Sequence, residues 1–168
     1  MIQSINQVIP ALKAIGNISQ NNIHFAASIQ KLINIETSLS IKLGELFFYY
    51  GSDKSDPHNY HKIYANLLSS QKSVGKIFEI GLGTNNLDVV STMGKNGKPR
   101  ASLRAFKDCY LSAEIYGADF DSRILFEEER IKTFFVDQTR VETLEKISED
   151  IGDNFDLMID DGLHSPNA

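Results

Sequence analysis

The chain is poor in several residue types and patterns, and each shortage closes off a class of function. It has one cysteine and no tryptophan in 168 residues. A single thiol excludes an intrachain disulfide framework and a thiolate zinc site. Cys109, in FKDCYLS, has no histidine close by in sequence and reads as a small buried hydrophobe. No Lys/Arg-dense stripe appears. Acidic residues outnumber basic ones 22 to 17, for a net charge of −5, so nucleic acid is not an expected partner. No apolar run reaches the length needed to cross a bilayer. The N-terminus MIQSINQVIPALKAIGNISQ lacks the basic start, solid apolar stretch and small-residue cleavage site of a signal peptide. A cytoplasmic protein with no membrane partner is the default expectation. GxxxxGK[ST] is missing too, which excludes a P-loop.

What remains is ordinary globular material. The composition is 42% hydrophobic and 23% charged, which suits one domain with one core. Residues 1–50 carry helical periodicity. Ile5, Val8, Ile9, Leu12 and Ile15 recur near a 3.6 period, and the pattern resumes from Phe25 through Ile29, Leu32, Leu39, Leu43 and Phe47. This part is expected to be a helical N-terminal extension that covers the main domain or pairs two subunits, which would make a homo-oligomer. His24 reads as a packing or surface residue. GSDKSDPHNY, residues 51–60, is a loop by composition, and HKIYANLLSS a short helix.

From Lys76 the rhythm changes. KIFEIGL, AEIYGADF, IKTFFVDQ and NFDLMIDDG are short apolar runs, the first ending in a glycine turn and the others in acid. RASLRAFKDCYL, DSRILFEEER and VETLEKISEDIG between them look helical. Strand alternating with helix predicts a Rossmann-like parallel sheet with helices on both faces. In such a sheet, ligands bind beyond the carboxyl ends of the strands. Gly81, Gly83, Asp119, Asp137, Asp160 and Asp161 should therefore converge on one edge. Each Asp alone serves equally well as a helix cap.

Glu79 lies inside the first strand, where a buried charge needs a partner. It would anchor the neighbouring backbone and shape the glycine loop. That loop, Gly81-x-Gly83, lets backbone approach a ligand closely. It departs from a dinucleotide fingerprint, because Asn86 stands at the third-glycine position. Asp119 follows Gly83 by 36 residues, where about 20 would be expected. Asp119 is placed to accept ribose hydroxyls, and Asp137-Gln138 to read an adenine edge. IDDGLH sets two carboxylates at a strand end, which stay charged and dry only if paired or bound to a cation. Oxygen ligands of this kind suit Mg²⁺. His164 lies three residues on and titrates near neutral pH. A capped helix start with a surface histidine weighs about equally on these residues alone.

FEIGLG, IYGADFD, FFVDQT and IDDGLH, in this order and spacing, resemble a class I S-adenosylmethionine-dependent methyltransferase. More narrowly they are similar to the metal-dependent sugar and macrolide O-methyltransferases with a DDGxH motif. GSDKSDPHNYHKIY and ASLRAF resemble that group as well. The resemblance spans roughly residues 50–164. It implies the following roles. Glu79, Gly81 and Gly83 lie under the methionine part of S-adenosylmethionine, and Ser102 and Arg104 lie near its carboxylate. Asp119 holds the ribose, Phe120 lies beside the adenine, and Asp137 and Gln138 address the adenine edge. Asp161, with Asp160, ligates Mg²⁺ or a similar divalent cation, and His164 deprotonates a hydroxyl acceptor, a sugar or other small molecule. The implied organisation is a helical extension over 1–50 and a cofactor-binding domain over 51–168. Strands that follow the DDG strand in this family have no counterpart here, so the chain is expected to be truncated at its C-terminus. Two other functions compete with this one: a NAD(P)-binding oxidoreductase domain and a non-catalytic, truncated assembly module.

Overall fold

The computed structural model describes residues 30–71 and 73–163. The expected helix around residues 5–15, and both His24 and His164, lie outside the described residues. Residues 30–34 are helical, and helix α1 follows at Ser38–Tyr50. Thr37 separates the two by forming a reciprocal cap. Its hydroxyl accepts from the Ser40 N–H at 3.1 Å, and its own N–H donates to the Ser40 hydroxyl at 2.8 Å. Such a box satisfies two orphan donors of the first turn. Gly51 ends α1 in the left-handed region, φ 81°, which a residue without a side chain adopts freely.

Helix α2 (Tyr60–Leu68) leads to strand β1 (Lys76–Ile80). Helix α3 (Ala101–Cys109) and strand β2 (Glu114–Asp119) follow. Next come the short strand β3 (Glu127–Glu128), strand β4 (Ile131–Phe135), helix α4 (Val141–Ile151) and strand β5 (Leu157–Asp160). The sheet order is β3-β4-β2-β1-β5. β4, β2, β1 and β5 run parallel, and β3 pairs antiparallel with β4. The expected α/β sheet with helices on both faces is thus present.

One expected element is not. DSRILFEEER, read as a helix, forms a single 3₁₀ turn at Ser122–Ile124 and then β3. The charge pattern of EEER mimics a helix, but tertiary bonds override it. Thr133 Oγ1 accepts from the Phe126 N–H and donates to the Phe126 carbonyl, both at 2.6 Å. Arg130 takes a left-handed turn, φ 60°, that reverses the chain into β4.

Strand alternation sorts the core onto two faces. Ile77, Ile115, Ile131, Leu157 and Ile159 face α1, α2 and α3, meeting Leu43, Phe47, Leu68, Leu103 and Phe106. Phe78, Ala118 and Val136 face α4, meeting Ile147 and Ile151. Helix α1 therefore shares the core of the sheet, with Leu43 and Phe47 fully buried. Phe47 meets Phe106 edge-on at 5.2 Å, a geometry that favours aromatic pairs. Cys109 is buried in the same cluster, and burial pushes its thiol up to about 11. Among the described residues no helix is long and apolar enough to cross a membrane.

Candidate functional site

The site is built from the loop that leaves β1. Gly81 and Gly83 have φ of 87° and 73°. A side chain on Gly81 would fall onto the carbonyl of Asp161 and the N–H of Gly162. The glycine is therefore required by how closely the end of β5 passes. Backbone bonds fix the loop on both sides: the Gly81 N–H donates to the Ala118 carbonyl and the Asp161 N–H to the Ile80 carbonyl, each at 2.9 Å.

Glu79, one residue before the end of β1, is 1% exposed on the α3 face. Its partners are now clear. The Ser102 hydroxyl donates to Oε2 at 2.6 Å, and the Lys54 ammonium sits 3.0 Å from Oε1. Lys54, itself 4% exposed, also bonds Asp161. Burial opposes the lysine charge, but Glu79 and Asp161 together outweigh it and hold the ammonium protonated. Burial pushes the Glu79 carboxyl up, against the pull of Lys54 and Ser102. A cavity of about 170 Å³ opens beside this group, lined by Lys54, Glu79, Gly81, Gly83, Ser102 and Asp161.

Five residues predicted from sequence thus meet at one cavity: Glu79, Gly81, Gly83, Ser102 and Asp161. Arg104 does not join them. Two positions along α3 from Ser102, it turns to the other side of the helix. There its Nε lies 3.2 Å from Glu128 Oε1, and its guanidinium covers the Phe126 ring at 4.9 Å. Asp119 supports the loop from beneath, accepting from the Leu82 N–H at 2.7 Å and the Asp121 N–H at 2.8 Å. Phe120 is 61% exposed beside Phe135, with ring centroids 5.9 Å apart. Asp137 accepts from the N–H and hydroxyl of Thr139. Gln138 reaches β5, donating to Asp160 Oδ1 at 3.0 Å and accepting from the Leu163 N–H at 2.7 Å. These residues stand at the carboxyl ends of β2, β4 and β5, on one rim.

The paired acids of IDDGLH separate in the structure. Asp160 points to the α4 face, with Gln138, and Asp161 to the opposite face, with Lys54 and Glu79. Strand alternation causes this split. Asp161, 48% exposed, offers hard oxygen to a cation, as does Asp160. Among the described residues no cluster of three or more His, Cys, Asp or Glu side chains is arranged to hold a metal. The donors fit Mg²⁺ in kind, and two carboxylates fall short of its six positions.

Two features escaped sequence reasoning. Lys54 is the first, and its signal was indirect: Glu79 in a buried strand demanded a cation. The second is Asp121, 4% exposed. It accepts from the Thr84 hydroxyl and the Asn86 amide, both at 2.7 Å, and from Arg123 Nε at 2.6 Å. Arg123 and the Thr84 and Asn86 donors hold its carboxyl well below the usual carboxylate range. The third-glycine position of the fingerprint is thus filled by an asparagine with a structural task.

Comparison with known proteins brings the same reading. No family model matches the chain. It is 40% identical over 63 residues to mycinamicin VI 2''-O-methyltransferase of Micromonospora griseorubida, covering 38% of this chain and 16% of that protein. It is 29% identical over 123 residues to 8-demethyl-8-alpha-L-rhamnosyl tetracenomycin-C 2'-O-methyltransferase of Streptomyces olivaceus, covering 73% and 30%. Among solved structures it is similar to MycE methyltransferase of the mycinamycin biosynthetic pathway in complex with Mg and SAH, with TM-score 0.57, 29% identity and coverage of 73% and 32%. The complex of MycE with Mg, SAH and mycinamycin VI matches with TM-score 0.58 and 28% identity, over 73% of this chain and 30% of that one. The chain spans about a third or less of the length of these relatives. It is a homologue of sugar and macrolide O-methyltransferases and has the class I methyltransferase fold.

Proposed function

We propose, from this kinship, that the chain binds S-adenosylmethionine and takes part in methyl transfer to a hydroxyl of a sugar or glycosylated metabolite. The observation that carries the reading is the cavity between the glycine loop and the Glu79–Lys54–Asp161 group. Gly81 and Gly83 line that cavity, and one formal negative charge remains after Lys54 is counted against the two acids. That charge suits the sulfonium and ammonium of the cofactor.

Glu79, Gly81, Gly83 and Ser102 would bed the methionine part. Each Asp119 oxygen accepts one backbone N–H and keeps a lone pair for a ribose hydroxyl. Phe120 would cover the adenine, with Asp137 and Gln138 at its edge. Asp161 would offer a carboxylate to a divalent cation, which when bound supplies a lowered hydroxyl pKa and a fixed oxygen position, while Asp160, turned to the opposite face, would stay with Gln138. His164 would take the acceptor proton as the methyl carbon leaves sulfur and bonds oxygen, releasing S-adenosylhomocysteine. Residues 51–168 would form this domain and 1–50 its helical extension.

Titration calorimetry with S-adenosylhomocysteine tests the cofactor reading. Binding with a dissociation constant well under about 1 mM is expected, and no heat at that concentration overturns it. NADH serves as the control ligand and should not bind. For the base, His164→Ala should abolish turnover of an acceptor hydroxyl while leaving cofactor affinity unchanged, and retained turnover rejects the assignment.

A further inference from the structure

We infer that Lys54 is a positioning residue, whose one buried ammonium ties the Asp161 carboxylate to the glycine-loop face of the sheet. Three observations carry this. Lys54 comes from the 51–59 segment outside the sheet, yet it is 4% exposed and bonded to acids on two strand ends, Glu79 and Asp161. Its own backbone is held in place, since the His61 N–H donates to the Lys54 carbonyl at 3.3 Å and the Ser52 N–H to the Phe47 carbonyl at 2.8 Å, tying the segment to α1 and α2. Asp161, by contrast, is half exposed and lies past the last residue of β5. Its N–H donates to the Ile80 carbonyl, and past the end of the strand this bond is kept from fraying by a second tie, the carboxylate's bond to Lys54. A half-exposed carboxylate alone would rotate toward water. The ammonium keeps it facing Glu79 and the cavity.

The role differs from simple charge burial. Neutralising Glu79 needs a cation beside β1 only. Reaching Asp161 as well makes the 51–59 segment a strap across β1 and the end of β5. On the methyltransferase reading, on which its chemical consequence rests, the strap sets the acid of the acceptor side at a fixed distance from the cofactor bed.

Amide hydrogen exchange on the full chain tests the strap without any cofactor, so it stands or falls separately from S-adenosylhomocysteine binding. The Asp161 amide is the reporter. In Lys54→Met/Glu79→Gln, where no charge is left buried and unpaired between the two sites, its exchange should quicken on the order of tenfold relative to core amides of β1 and β2. In Asp161→Ala, a half-exposed position safe for folding, the same amide should quicken similarly. Lys54→Arg, which keeps the cation, should hold it within about threefold of the parent. Exchange at Asp161 that stays at the parent rate in Asp161→Ala, or that merely follows global stability in the double variant, overturns the inference.

Discussion

The glycine loop is held by two charged groups of opposite character. On one side Glu79, Lys54 and Ser102 form a dry cluster, with Glu79 and Lys54 at 1% and 4% exposure. On the other, Asp121 gathers Thr84, Asn86 and Arg123, and Arg123 continues to an exposed Asp88. Both use a carboxylate, a cation and a hydroxyl. The first is committed, since removing either partner strands a charge in low dielectric. The second is graded: its carboxylate is buried, but its cation is 52% exposed and screened by water. The same chemistry thus yields an anchor on the cavity side and an adjustable clamp on the rim.

Breaking the dry side should have the largest effect. Glu79→Ala leaves Lys54 and Ser102 without their main acceptor and should cost about 3–5 kcal/mol, the range for breaking a buried pair. Urea denaturation measures it, and a loss within error of zero would show that Asp161 alone satisfies Lys54. Breaking the clamp at its buried end comes next. Asp121→Ala should lower the thermal midpoint by less than Glu79→Ala does, while loosening residues 84–88. It should also change the acid limb of the stability curve. The Asp121 carboxyl is depressed on folding, so its contribution is complete above the unfolded value near 3.9 and fades as pH falls toward the folded value. The parent should lose stability below about pH 4 more steeply than Asp121→Ala. Parallel curves would contradict the clamp. The smallest effect belongs to the exposed link. Arg123→Gln removes a charge mostly in water, and its melting curve should stay closer to the parent than that of Asp121→Ala does.

Much of the fold was legible because buried parallel strands are locally encoded. KIFEI, EIYGAD and LMID are apolar runs with turn residues at their ends, and each forms a strand where expected. The hairpin at β3 was not, because Thr133, outside the segment, bonds both backbone groups of Phe126, and Arg130 at its end turns left-handed. The site followed the same division. Glu79, the glycines and Asp161 announce themselves along the chain. Lys54 does not, since its partners lie 25 and 107 positions away and only folding brings them together. Arg104 shows the reverse failure. Its place two residues from Ser102 suggested a shared task, and helical geometry sent it to Glu128.

The pairing of β5 with β1 has one more consequence. Ile80 stands opposite Asp160, and this parity alone assigns the two acids: the even one to Gln138, the odd one to Lys54. The aspartates are chemically identical, so nothing in their side chains distinguishes them. A single residue inserted into β5 would exchange their environments without altering the motif. A tool that matches strings would score such a chain as intact, although each acid would now face the other's neighbours.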